Sequence, residues 1–297
     1  MGTVDHSGFV DRVDRGLAWR EWGTGEPVVF LHGLGGTREA WGPQLRALHP
    51  HGRCIAWDMP GYGRSAPLEP LTYAGIADRL VELLDALDVE RAHLVGLSFG
   101  GMHALHTARR HPDRVGRLVL ADTSPAFGLD GTTPEDWIAA RLTPIDEGRV
   151  PADIAEPVLD AITAAPLVGE VRRELIAAFG RIGADGFRAA VHCLPTNDVR
   201  AELGRIDHPA LVIVGELDAE TPPSYAQALA DGLPDARLVV LDGVGHLSPS
   251  EDPDRFNQLV RSFLFEPTAT PSPTPAPAHR TPHRTADATP DLPLEQP

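Results

Sequence analysis

Residues 95–105 read V-G-L-S-F-G-G-M-H-A-L, with Ser98 set between two glycines where one pattern gives way to another. Before the serine, His93 to Leu97 is a continuous apolar run of strand length; after it, Met102 to Arg110 follows a helical period. A strand that becomes a helix this abruptly holds Ser98 in a sparsely populated backbone conformation and lifts its hydroxyl above the sheet edge. Gly96 and Gly100 are then needed on either side, because Cβ atoms there would collide across the bend. Phe99, where the helix begins, offers an N–H with no helical carbonyl to bind, a donor for a developing oxyanion. The pattern G-x-S-x-G alone is a weak signal. Its weight comes from what surrounds it.

Outward from this turn, short apolar runs alternate with amphipathic ones. Val28–Leu31, Cys54–Trp57, His93–Leu97, Leu118–Ala121, Leu211–Val214 and Leu238–Leu241 predict strands buried on both faces, the mark of a parallel sheet covered by helices. Tyr73–Leu87, Met102–Arg110, Ser224–Leu233 and Pro253–Phe265 predict the helices. Strand–helix repetition of this kind gives an α/β fold with right-handed crossovers. Between about 125 and 205 the alternation stops, leaving only helix-compatible pieces such as Pro134–Arg141 and Glu170–Phe179. The expected organisation is a core in two parts, 1–124 and 206–265, with a helical cap inserted over 125–205. A tail over 266–297, rich in Pro, Thr and Ala, has too few apolar residues to offset its ordering entropy and is expected to be disordered.

A serine hydroxyl needs a base, and position selects one among thirteen histidines. His246, in D-G-V-G-H-L-S, follows the last predicted strand and so reaches the carboxyl edge of the sheet, where catalytic groups of open α/β sheets collect. The orienting carboxylate is Asp218, at the end of the preceding strand in V-I-V-G-E-L-D; Asp122 is its rival, with Glu216 and Glu220 behind. In the expected relay His246 takes the proton from Ser98 and Asp218 fixes the imidazole. A second oxyanion donor is expected from H-G-L-G-G at 32–36, at Leu34 or Gly35. His103, His106 and His111 imitate metal spacing, but no carboxylate or cysteine joins them, so they are read as helix-face residues. Glu82, Asp85 and Asp88 read as a solvated acidic face. The chemistry calls for no metal and no organic cofactor.

Composition excludes several functions. A formal charge of -16 over 297 residues argues against nucleic-acid binding, which needs clustered cations. The N-terminal stretch has acidic residues and no apolar core of a signal peptide, and no run approaches membrane-spanning length. The two cysteines, Cys54 and Cys193, are far apart and fit reduced thiols in a cytoplasmic protein acting on a small molecule.

H-G-L-G-G, then D-M-P-G-Y-G-R-S at 58–65, G-L-S-F-G-G, G-E-L-D and G-H-L-S stand in an order that resembles the α/β-hydrolase-fold serine hydrolases, from Ala18 to Leu264. The resemblance implies that 58–65 is a structural loop and that Ser65 is no second nucleophile. Within the family, G-G-M after the turn, R-V-G-R-L-V-L-A-D-T at 114–123, D-W-I-A-A-R-L from 136 and A-R-L-V-V-L-D-G-V-G-H-L-S at 236–248 resemble the beta-ketoadipate (3-oxoadipate) enol-lactonases. That implies an ester or lactone substrate cleaved through an acyl-enzyme, with Trp137 and Arg141 lining the pocket and pairing a carboxylate. Phe99 departs from the methionine usual in those lactonases, and A-A-P-L at 164–167 replaces their R-W-F cluster. The same three residues would also serve a cofactor-free haloperoxidase or perhydrolase, a carbon–carbon bond hydrolase, or a non-enzymatic ligand receptor.

Overall fold

The computed structural model describes residues 3–4 and 8–266. The tail expected from 266 onward lies, past Glu266, outside the described residues.

The chain opens with strands that the apolar-run reading does not contain: β1 (Thr3–Val4), β2 (Val10–Asp14) and β3 (Leu17–Trp22). They pair antiparallel with one another, and β3 continues antiparallel onto β5. β2 reads V-D-R-V-D and is mostly exposed, so no apolar run marks it. Ion pairs tie this edge together, Arg20 to Asp11 at 2.8 Å and Arg12 to Glu21 at 2.7 Å.

The alternation then runs through β4 (Pro27–Leu31), α1 (Gly42–Leu48), β5 (Arg53–Asp58), α2 (Tyr73–Ala86), β6 (Ala92–Leu97), α3 (Phe99–Arg110) and β7 (Val115–Ala121), as expected except for α1, which is not among the predicted helices. Four helices follow before the sheet resumes: α4 (Pro134–Asp146), α5 (Pro151–Ile162), α6 (Gly169–Gly180) and α7 (Ala184–Cys193). Of these, α5 and α7 were not among the predicted helical pieces. The chain returns through β8 (Ala210–Gly215), α8 (Pro223–Gly232), β9 (Ala236–Leu241), α9 (Ser248–Glu251) and α10 (Pro253–Phe265).

Among the described residues the strands form one sheet in the order β1-β2-β3-β5-β4-β6-β7-β8-β9. From β5 to β9 every pairing is parallel. Successive residues on a strand point to opposite faces, and the core divides accordingly. Val29, Leu31, Leu94, Leu120 and Val214 pack with α2, α3 and α8, whereas Val28, Phe30, Val95, Val119 and Ile213 pack with α1 and α10. Each fully buried side chain of this kind contributes about 1.5–3 kcal/mol. One strand departs from the expectation of burial on both faces. β9 pairs only with β8 and is half-exposed, because it lies at the sheet margin.

The parallel strands all end on the same edge, and Ser98 and Asp122 follow directly on β6 and β7 there. Both carry positive φ, 54° at Ser98 and 45° at Asp122, a conformation rare for side-chain-bearing residues.

Candidate active site

The backbone at Ser98 (φ 54°, ψ −118°) is the strained turn that the sequence predicted, and the helix starts one residue later, at Phe99. Steric necessity explains the glycines: a Cβ on Gly96 would strike the Gly100 carbonyl, and one on Gly100 would strike the Leu31 carbonyl. The turn is tied to β7, since Ser98 N–H donates to the Ala121 carbonyl at 2.8 Å and the Thr123 hydroxyl donates to the Ser98 carbonyl at 2.7 Å. Phe99 is the first residue of α3, so its N–H has no preceding helical carbonyl.

Three sequence-predicted residues meet above this edge. Ser98 Oγ lies 3.0 Å from His246 Nε2, and His246 Nδ1 lies 2.9 Å from Asp218 Oδ2 and 3.0 Å from Oδ1. Asp218 also accepts the N–H groups of Glu220 and Thr221, both at 2.9 Å, and the Thr221 hydroxyl at 2.8 Å. A carboxylate accepting so many donors is held ionised, and its pKa is lowered despite burial, chiefly through His246. In the neutral imidazole Nδ1 therefore carries the proton, leaving the Nε2 lone pair for the serine hydroxyl. Burial alone would depress His246, but the Asp218 charge and hydrogen bond lift it to about 9, with Asp122 and Glu220 adding to the pull.

Asp122, the rival acid, does a different job. It is fully buried, and its Oδ2 accepts the Ser248 N–H at 3.1 Å and the Ser248 hydroxyl at 2.5 Å. Its Oδ1 accepts the Gly215 N–H at 3.0 Å. Burial first, and then repulsion from Asp218, push its pKa up to about 7. It pins the histidine loop to the ends of β7 and β8 and makes no hydrogen bond to the imidazole.

A second clamp escaped the sequence reading. Glu251 Oε2 accepts the N–H of Gly245 at 3.0 Å and of Ala164 at 2.8 Å, while Oε1 accepts that of Leu247 at 2.9 Å. The N–H of His246 itself donates to the Ile162 carbonyl, the last residue of α5, at 2.8 Å. The loop bearing the imidazole is thus hydrogen-bonded to the helical insertion from both flanks. The available signal, an acid four residues after Leu247, reads locally as nothing more than a first-turn charge on a short helix.

The loop at 32–36 faces Ser98 from the other side. Neutral His32 shapes it: Nδ1–H donates to the Gly33 carbonyl at 2.8 Å and Nε2 accepts the Met59 N–H at 3.1 Å. Burial drives its pKa down to about 4. The Tyr62 hydroxyl donates to the Leu34 carbonyl at 3.0 Å, orienting the peptide whose N–H is that of Gly35, the alternative to Leu34 as donor. Ser65 donates to the Asp58 carbonyl at 2.6 Å and accepts the Ala18 N–H at 3.0 Å, a structural role. His103 and His106 are buried against Tyr73, with His106 Nε2 3.0 Å from Asn197, and His111 faces Asp78.

Two cavities open onto Ser98 and His246. The larger, about 440 Å³, is walled by Ile154, Val158, Ile162, Leu175 and Phe179 of the insertion and by the 32–36 loop. The smaller, about 320 Å³, includes Asp130, Asp136, Thr221 and Tyr225. Trp137, Arg141 and Glu220 line both. Arg141 stacks over the Trp137 ring at 4.0 Å and pairs with Glu220 Oε2 at 2.9 Å. Sequence reasoning placed Trp137 and Arg141 at the pocket but missed Glu220 as the partner of the arginine.

A parallel sheet with a strained strand–turn–helix serine, an acid and a histidine on later strand ends defines the α/β hydrolases. The chain belongs to the alpha/beta hydrolase family, which residues 28–259 match. Among its relatives, the "Putative carbamate hydrolase RutD" of Variovorax paradoxus (strain S110) is 36% identical over 248 residues, covering 81% of this chain and 92% of that protein. Among solved structures, a hydrolase from Pseudomonas aeruginosa PA01 is similar with a TM-score of 0.75 and 32% identity, covering 89% of this chain and 97% of that one. The enol-lactonase from Burkholderia xenovorans LB400 has a TM-score of 0.77 and 30% identity, covering 86% and 99%. Among the described residues no helix is long and apolar enough to cross a membrane.

Proposed function

We propose that this protein hydrolyses carboxylic esters or lactones of small molecules through an acyl-enzyme on Ser98. The observation that carries the reading is the unbroken relay from Ser98 Oγ through His246 Nε2 and Nδ1 to Asp218. In the forward step His246 takes the hydroxyl proton as Ser98 Oγ attacks the carbonyl carbon. The carbonyl oxygen becomes an oxyanion, and the N–H groups of Phe99 and of Leu34 or Gly35 receive it, each worth about 2.7–4 kcal/mol of barrier. The imidazolium, held by Asp218, then protonates the departing alkoxide. Water repeats the sequence on the acyl-enzyme, restoring Ser98. Residues 125–205 act as the cap, supplying the apolar wall that receives the rest of the substrate.

The finer reading, hydrolysis of 3-oxoadipate enol-lactone, draws support from the likeness to the Burkholderia enol-lactonase and from Trp137 and Arg141 in the cavity wall. Such a substrate carries a carboxylate, and the charge of Arg141 is already matched by Glu220. Uncharged esters and lactones therefore stand ahead of it.

The deciding experiment measures turnover of p-nitrophenyl butyrate and a lactone panel that includes 3-oxoadipate enol-lactone. Ser98→Ala is expected to lower kcat by at least about 10⁴-fold. Equal rates for the parent and Ser98→Ala would overturn the reading; loss of the enol-lactone activity alone would remove only the narrower one.

A further inference from the structure

Glu220 and Arg141 form an ion pair between elements 79 residues apart in sequence, and the pair sits where the two cavities meet. Its surroundings are specific. The guanidinium lies over the Trp137 ring at 4.0 Å, and the Glu220 backbone N–H is anchored on Asp218 at 2.9 Å. Both side chains are partly shielded, with 26% of Arg141 and 40% of Glu220 exposed. Arg141 is the one arginine lining the smaller cavity, which also holds the carboxylates of Asp130 and Asp136. The larger cavity adds Arg149, which is exposed to solvent, beside a mostly apolar wall.

We infer that Glu220 is a specificity-determining residue: by locking Arg141, the arginine shared by both cavities, it disfavours substrates that carry a carboxylate. This rests on the hydrolase reading above. An anionic acyl group entering either cavity meets Glu220 within the same field as Arg141, so the attraction of the cation is cancelled at the place where it would act. An anion would also have to displace a hydrogen bond already made at 2.9 Å. An apolar acyl or alkyl group meets neither cost and gains the burial offered by Ile154, Val158 and Phe179. The favoured class is an uncharged ester or lactone with an aliphatic or aromatic group.

Glu220→Gln keeps a carbonyl oxygen that can accept from Arg141 while removing the opposing charge, so the lock opens without emptying the wall. The test compares kcat/KM for p-nitrophenyl butyrate with that for the mono-p-nitrophenyl ester of glutaric acid. The parent is expected to prefer the butyrate by at least about tenfold, and Glu220→Gln to shrink that preference about fivefold. Adding Arg141→Gln is expected to restore the preference, which assigns the gain to the released guanidinium. Any change in the base caused by losing the Glu220 charge acts on both esters and cancels in the ratio. Glutarate binding to Ser98→Ala, with and without Glu220→Gln, reads the same lock by calorimetry without turnover; tighter binding is expected with the glutamine. Equal use of both esters by the parent, or an unchanged ratio and unchanged glutarate affinity in Glu220→Gln, would overturn the inference. A Ser98→Ala enzyme as fast as the parent would instead sink the hydrolase reading, leaving glutarate affinity to decide the lock.

Discussion

The serine turn and the histidine loop face each other across 3.0 Å, yet opposite means hold them. Ser98 is fixed by what cannot fit: glycines on either side leave the backbone one tight path, and a strained φ is kept because the strand and helix around it allow no other. His246 is fixed by what is bound: Glu251, Asp122 through Ser248, and the Ile162 carbonyl hold its buried loop. Exclusion is written in the glycines beside the serine, even where the backbone they avoid is that of Leu31 on β4. Attachment reaches across the fold, and its partners are distant in sequence.

Substitutions can break this contrast at graded depth. Asp218→Asn is expected to have the largest effect, lowering kcat/KM by about 10⁴-fold, because an amide nitrogen facing Nδ1 favours the tautomer that protonates Nε2. Steady-state kinetics on p-nitrophenyl butyrate measures it. On the serine side, Gly100→Ala is expected to cost about 3 kcal/mol of stability and lower Tm by roughly 6–12 °C, since backbone and not a movable side chain meets the new methyl group. A Tm within a degree of the parent would mean that exclusion does not shape the turn. On the histidine side, Glu251→Ala is expected to lower kcat about tenfold and Tm by roughly 2–6 °C, because three backbone N–H groups lose their acceptor. A shifted pH profile would accompany it, and Glu251→Gln should recover part of the loss. The smallest effect belongs to Thr221→Val, which removes the hydroxyl bond to Asp218, for a loss of roughly threefold to fivefold.

Acidity gives a further handle on the attached side. Catalysis needs Nε2 free, so kcat/KM is expected to climb with pH until His246, lifted to about 9 by Asp218, loses its proton. Asp218→Asn should move that limb to lower pH. Stability runs the other way: because the folded value of His246 lies above its ordinary 6.5, its contribution is complete below 6.5 and is lost as pH rises through about 9. Asp218, lowered in the folded state, contributes above its ordinary 3.8 and loses that contribution as pH falls through its folded value.

The same contrast explains what could be read from sequence. The parallel strands, the Ser98 turn and the loop positions of Asp218 and His246 were legible because each is set by a run of apolar residues or by glycines nearby. β2 was not, since V-D-R-V-D carries no apolar run and is held by ion pairs to β3. Glu251 was not, because its hydrogen bonds run to Ala164 as well as to its own loop. Glu220 was weighed as a relay acid, and only the fold brings it to Arg141.

Ile162 carries two attachments that are chemically independent. Its carbonyl receives the His246 N–H, while its side chain forms part of the larger cavity wall. Every amino acid has the same carbonyl, so exchanging this residue redraws the cavity wall and leaves the main-chain tether of His246 in place. Position 162 is therefore a point where the shape of the cavity can drift over generations of variants without the hydrogen bonds that hold His246 having to be rebuilt each time.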